Sequence, residues 1–216
     1  MLFKPIQWNR FINDNLRLQL GFLMYGLALS LMIQASLGNG PWSVLDVGVA
    51  AVLGVQPGTV TQIVGVLVLI IALVLREQIG WGTITNIIFI GFYLNLFLTR
   101  IPKINDNLIL QIGMFLVAVG LMGFASAIYI GAETGAGPRD SLMIGLSRRL
   151  GWSIRWARTS IEVVVVLVGW YIGYQAGVRD HVGVGTLAFA LLIGPSVQFA
   201  FKTLGVDPHK KAAAEQ

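Results

Sequence analysis

Apolar positions run through this chain in long unbroken stretches. They show neither the alternation of a half-buried strand nor the single stripe of a soluble helix. Six stretches, residues 18–37, 58–75, 82–99, 108–131, 154–174 and 182–201, predict membrane-spanning helices, because a span takes roughly 20 mostly apolar residues. The breaks between them carry charge and turn residues, among them Arg76-Glu77-Gln78, Arg100 to Asn107 and Gly177 to His181.

Two further pieces, Pro41 to Leu53 and Pro138 to Leu150, are too short to span. Each opens with proline, which suits a first helical turn because its missing N–H has no intrahelical partner there. Each follows a glycine-rich bend, so both read as half-helices. Residues 1–17 hold Lys4, Arg10, Asp14 and Arg17 among Trp8 and Phe11. That mixture is too polar for a signal peptide and predicts a short interfacial helix leading into the first span. Residues 203–216 form a polar tail.

The pattern repeats. Gly38-Asn39-Gly40-Pro41 recurs as Gly135-Ala136-Gly137-Pro138, an offset of 97 residues. Leu53-Gly54 and Leu150-Gly151 match at the same offset, as do Gly26, Ala28 and Ala35 with Gly123, Ala125 and Ala132. Beyond a six-residue insertion the register resumes at 103, pairing Gly82-Thr83 with Gly185-Thr186, Ile90-Gly91 with Ile193-Gly194, and Asn95 with Gln198. Such self-similarity points to a duplicated unit. The expected fold is an all-α polytopic membrane protein with one repeat over residues 18–99, a loop over 100–107 and a second repeat over 108–202. Three spans per unit invert the second copy, as in many transporters whose sites lie where broken segments meet.

Composition agrees. Hydrophobic residues make up 56% and charged residues 12% of the 216, with mean hydropathy +0.76, where a soluble domain carries about 25% charged residues. With cytoplasmic ends, twelve of the fifteen Lys and Arg face the cytoplasm and only Arg100, Lys103 and Arg179 face outward, as the positive-inside rule asks. The same count results if both half-helices cross, so length, not charge, favours six crossings over eight. The net charge of +5 is that of cytoplasmic loops, and no basic run interleaved with aromatics suggests nucleic acid.

Chemistry is sparse. The chain has no cysteine, which removes disulfides, thiol catalysis and cysteine-held metals. Only His181 and His209 could supply imidazole, so neither a metal nor another cofactor is expected. Nucleophile-elbow, zinc-protease and phosphate-loop signatures are missing, which argues against an enzyme and leaves any transport to a gradient or a partner.

The binding candidates are the bends and their neighbours. Gly38, Gly40, Gly135 and Gly137 allow close backbone approach, and Asn39 and Arg139 flank them. The half-helix starts present unpaired N–H groups and a positive dipole end. Asp46 and Asp140, early in the half-helices, read as dipole caps or as protonatable carboxylates. Asn95 and Gln198 read as interhelical bonds or as ligand contacts. Arg158 and Glu162, one turn apart, read as an ion pair.

The doubled bend, and the segment Gly135-Ala136-Gly137-Pro138-Arg139-Asp140-Ser141-Leu142, resemble the YczE/YyaS/YitT family of bacterial membrane proteins over nearly the whole chain. The resemblance implies an inner-membrane location and brings no substrate with it. The reading that follows is a secondary transporter or permease for a small polar or anionic solute, held between the repeats. The alternatives are an accessory membrane subunit and the substrate-binding subunit of an energy-coupling-factor importer. Lipid is the expected partner, with such a solute and a second copy of the chain as further ones.

Overall fold

The computed structural model describes residues 3–206. Among them are eight helices: α1 (Phe11–Gln34), α2 (Pro41–Leu53), α3 (Pro57–Val74), α4 (Trp81–Leu98), α5 (Leu108–Gly131), α6 (Pro138–Leu150), α7 (Ile154–Gln175) and α8 (Val184–Leu204). Six are long and apolar enough to cross a membrane, all but α2 and α6. At about 1.5 Å per residue, the 13 residues of α2 and of α6 reach only about 20 Å, short of a hydrocarbon core of about 30 Å.

The N-terminal expectation needs correction. Among the described residues no separate interfacial helix precedes the first span. Residues 3–10 are not helical, Phe3 bridges Ile79, and the Lys4 N–H donates to Ile79 O at 2.9 Å. The helix begins at Phe11 and continues unbroken to Gln34. Asp14, in its first turn, is buried, where a carboxylate suits the positive helix end. The polar residues 11–17 are therefore the first turns of the span. At the other terminus α8 runs on to Leu204, and residues 207–216, with His209, lie outside the described residues.

The two long helices α1 and α5 form the central pair, with α4 packed on α1 and α8 on α5. Leu18, Phe22, Leu29 and Met32 of α1 meet Ile90 and Leu94 of α4, Phe115, Val119 and Met122 of α5, and Phe189 and Ile193 of α8 in one buried cluster. Small residues let the backbones close. A Cβ on Gly26 would lie 2.5 Å from Tyr93 Cβ, and one on Gly123 would lie 2.2 Å from Ser196 Oγ. These contacts are equivalent in the repeat register, since Gly26 and Gly123 are 97 apart and Tyr93 and Ser196 are 103 apart.

The short helices cross between halves. α2 packs on α7, and α6 packs on α3. A Cβ on Gly169 of α7 would collide with Val44 and Leu45, and one on Gly48 would collide with Gly169 and Gly173. Residue numbers thus rise together, so α2 runs parallel to α7 and covers only its second half. Pro41 consequently sits near the middle of α7. Gly145 of α6 packs on Leu75 and Glu77, and Arg148 and Arg149 donate to Leu75 O and Val74 O at 2.8 and 3.3 Å. So α6 covers the second half of α3 in the same manner. Each short helix starts inside the bundle and returns to the end from which its chain came, making it re-entrant.

Polar ties lock the opposite end. Gln34 Nε2 donates to Leu98 O and Ile101 O at 3.2 and 2.6 Å, and Lys103 pairs with Asp180 between two loops. Burial pushes the Asp180 carboxyl up, but the hydrogen bond and charge of Lys103 outweigh it and hold the group below its ordinary value.

The tightest packing lies where α4 begins. A Cβ on Gly80 would lie 1.7 Å from Thr134 O, whereas one on Gly120, in the middle of α5, would meet nothing within 4 Å. Gly80→Ala is expected to lower the melting temperature of the purified protein markedly, and Gly120→Ala to leave it unchanged or raise it. Thermal unfolding monitored by intrinsic fluorescence checks the contrast.

Candidate functional site

The glycine-rich bends have the same backbone in both halves. Gly38 and Gly135 have φ of 110° and 127°, a region that only glycine adopts readily. Gly40 and Gly137 are the N-caps, with ψ of 158° and 155°. The short helices end on Gly54 and Gly151, each with φ of 66°, the left-handed helix end that glycine supplies.

Each bend is braced by the other repeat. The Gly185 N–H donates to Leu37 O at 2.7 Å and the Asn39 N–H to His181 O at 3.1 Å. In the second bend the Gly82 N–H donates to Thr134 O at 3.1 Å, and Thr83 Oγ1 donates to Ala136 O at 2.6 Å. A Cβ on Gly38 would lie 2.6 Å from Gly183 N, and one on Gly135 would lie 2.7 Å from Gly80 N. Gly38 and Gly135 therefore seat the bends against the starts of α8 and α4. Asn39 has the same role, its amide donating to His181 O at 3.3 Å. His181 is itself buried, with Nε2 3.2 Å from Gly169 O.

Beyond these seats, the starts of α2 and α6 converge on a cavity of about 140 Å³ lined by residues of all eight helices. Gly40, Gly137, Arg139 and Asp140 line it, as do Arg158 and Glu162. Arg139, at the start of α6, reaches Asp46 of α2, with Nη2 3.1 Å from Oδ2, and lies 4.7 Å over the Trp42 ring. Thr61 of α3 donates to the same Asp46 oxygen at 2.7 Å. The Asp46 side chain is 2% exposed, so this charge pair is a buried bridge between the re-entrant helices. Arg158 Nε donates to Glu162 Oε1 at 2.8 Å, the expected one-turn pair. Asp140 accepts from the Tyr129 hydroxyl at 3.2 Å.

Two candidates fall elsewhere. Asn95 accepts from the Gly58 N–H at 2.7 Å and donates to Thr59 Oγ1 at 3.2 Å, so it joins α4 to α3 away from the cavity. Gln198 is exposed on the outer face of α8 and does not line the cavity. Matching repeat positions put the two near the ends of their helices but in different surroundings: Asn95 is covered by α3, whereas Gln198 is exposed.

Several lining residues escaped the sequence reading as site members: Tyr25, Trp42, Ser43 and Tyr129. The repeat register holds the signal for two of them. Ser43 lies 97 residues before Asp140, and Trp42 lies 97 before Arg139, so Ser43 rather than Asp46 is the counterpart of Asp140. Among the described residues, no cluster of acidic and histidine side chains could hold a metal.

These features define a class, a multi-pass helical membrane protein enclosing a charged cavity where two re-entrant helices begin. Residues 12–202 match the family described as "Family of unknown function (DUF6198)", and the chain belongs to that family. It is similar to an "Uncharacterized protein" of Haemophilus influenzae, 35% identical over 85% of this chain and 81% of the relative. It is also similar to the "Uncharacterized membrane protein YczE" of Bacillus subtilis, 28% identical over 83% of this chain and 81% of the relative. A third relative, the "Uncharacterized protein YyaS" of the same organism, is 28% identical over 81% of this chain and 86% of its own length. The likeness drawn from the bends thus holds over the spans. No solved structure matches the chain.

Removing one partner of a buried charge pair typically costs about 3–5 kcal/mol, because the other charge is left uncompensated. Arg139→Gln should destabilise the protein by about that amount. Asp46→Asn combined with Arg139→Gln should recover most of the loss. A double-mutant cycle on thermal or denaturant unfolding reads the coupling.

Proposed function

We propose that this protein is a secondary transporter or permease for a small polar solute, with its binding site in the cavity between α2 and α6. One observation carries the reading: the two re-entrant helices begin at one internal cavity and bring charged and hydroxyl-bearing side chains to it. A membrane protein tolerates non-helical backbone in its interior where protein covers it or where it lines a cavity. Transporters with repeated halves place their sites at such junctions, and their halves rock about the fixed site.

The swapped packing suits that motion. α2 moves with α7 and α6 with α3, while α1 and α5 form the central seam. The Arg139–Asp46 pair joins the two short helices across the cavity wall, so it must hold or re-form as access alternates. Transport of this kind runs on a solute or ion gradient.

An inner-membrane location with cytoplasmic termini is part of the proposal. Lys4, Arg10, Arg17, Arg76, Arg148, Arg149, Arg155 and Lys202 gather at the end of the bundle where the chain begins. Arg100, Lys103 and Arg179 occupy the opposite end. This is the asymmetry expected when the first end is cytoplasmic.

The natural absence of cysteine makes a clean test available. A single cysteine at Met143, which lines the cavity, should react with a membrane-impermeant maleimide in right-side-out and in inverted vesicles. Purified protein in liposomes should also accumulate at least one member of a radiolabelled panel of polar metabolites. Lack of labelling from either face, together with lack of uptake, would refute the proposal.

A further inference from the structure

The charges around the cavity are not all equally free. Arg139 is held by Asp46 at 3.1 Å and by the Trp42 ring, and Arg158 is held by Glu162 at 2.8 Å. The polar groups that remain fall into two sets, one at each re-entrant helix start.

At the α2 start the positive helix end is uncompensated. Gly40 offers no side-chain cap, and the first turn holds no acidic residue. Ser43 is only 4% exposed and lines the cavity, and its hydroxyl makes no hydrogen bond within the described structure. A hydroxyl that faces the cavity without a protein partner is open to a donor or acceptor carried by a guest. Free N–H groups beside such a hydroxyl form a seat for a carboxylate.

At the α6 start the polarity is reversed. Asp140 already occupies the first turn. It accepts from the Tyr129 hydroxyl at 3.2 Å. Arg139 and Arg158 line the same cavity and act on it by charge, but each is paired with another carboxylate and neither forms a direct ion pair with Asp140. Asn86, whose Nδ2 lies 3.9 Å from where a Cβ on Gly137 would stand, also lines this wall and makes no hydrogen bond there. A carboxylate with one hydroxyl donor retains acceptor capacity for an ammonium group.

The contrast is built into equivalent positions, since Ser43 and Asp140 are repeat counterparts. A guest with one charge would match one wall and be opposed by the other. A guest with opposite charges at its two ends satisfies both. We infer that the cavity takes a small zwitterion of the amino-acid class, its carboxylate at the α2 start with Ser43 and its ammonium at Asp140. The inference rests on the transport reading and narrows its substrate.

The test uses the full chain in detergent or nanodiscs and begins with the wild type. The twenty common L-amino acids are screened at millimolar concentration for a rise in melting temperature. Each amino acid that binds is then compared with the amine lacking its carboxylate and the carboxylate lacking its amine. At least one amino acid should bind, with both truncated analogues at least tenfold weaker. Asp140→Asn should weaken the amino acid at least tenfold while changing the carboxylate analogue less than twofold. Ser43→Ala should weaken the amino acid about threefold. If an amine or a carboxylate alone binds as tightly as the parent, the zwitterion assignment is overturned and the transporter reading stands. The same follows if no amino acid binds but liposomes accumulate a different polar solute. If nothing binds and nothing accumulates, both readings fall. The wild-type ligand comparison stands even if a variant fails to fold.

Discussion

Peptide groups that leave a helix inside an apolar bundle must find partners within the protein, since lipid offers none. This chain breaks its helices twice, and each half satisfies the break in the other. Leu37 O and the Asn39 N–H of the first bend are met by Gly185 and His181 of the second repeat. Thr134 O and Ala136 O of the second bend are met by Gly82 and Thr83 of the first. Neither re-entrant helix would be viable in an isolated half. The bracing is therefore reciprocal, and the cavity lies where the two bends lead into their helices.

The same exchange explains the charge arrangement. Placing α6 against α3 and α2 against α7 brings the two helix starts together in the interior. There Arg139 comes to 3.1 Å from Asp46, 93 residues earlier in the chain. Such a pair is weak as a source of net stability but strong as a constraint, because each partner is costly to leave alone. Thr61 supplies a further donor to Asp46 Oδ2, while Oδ1 remains buried without one. The pair thus fixes the relative position of the two short helices more than it stabilises the bundle, and with it the dimensions of the cavity.

Legibility in the sequence followed the strength of local punctuation. The short helices were readable to the residue, because proline opens each and a left-handed glycine closes each. The start of α1 was not, since nothing between Phe11 and Leu18 breaks a helix and polar content alone suggested a separate piece. Arg158 and Glu162 were readable as a pair because one helical turn decides their meeting. Arg139 and Asp46 were readable as candidates but not as partners, since only the exchange of short helices joins them. Gln198 misled because repeat register fixes position along a helix and leaves open whether a neighbouring helix covers that face. Tyr25 and Tyr129 stand on α1 and α5 among many apolar residues, and only the converging helix starts turn them into cavity walls.

The repeat also separates what builds the frame from what gives it chemistry. Positions that must accommodate close backbone, such as Gly38 with Gly135 and Gly40 with Gly137, are the same in both halves, because the steric demand is the same in both. Positions just inside the helix starts are different: Trp42 faces Arg139 in register, and Ser43 faces Asp140. Asp46 and Met143 differ in charge in the same register, while Gly38, Gly40, Pro41 and Leu45 are matched by Gly135, Gly137, Pro138 and Leu142. Arg139 uses the difference to lie over the Trp42 ring, so two residues matched in the sequence register contact one another. A symmetric scaffold with an unsymmetrical interior can hold a guest in one orientation, which a purely symmetric site cannot do. That makes the divergence in charge at Trp42/Arg139, Ser43/Asp140 and Asp46/Met143, rather than the likeness of the two bends, the feature on which any selectivity would rest.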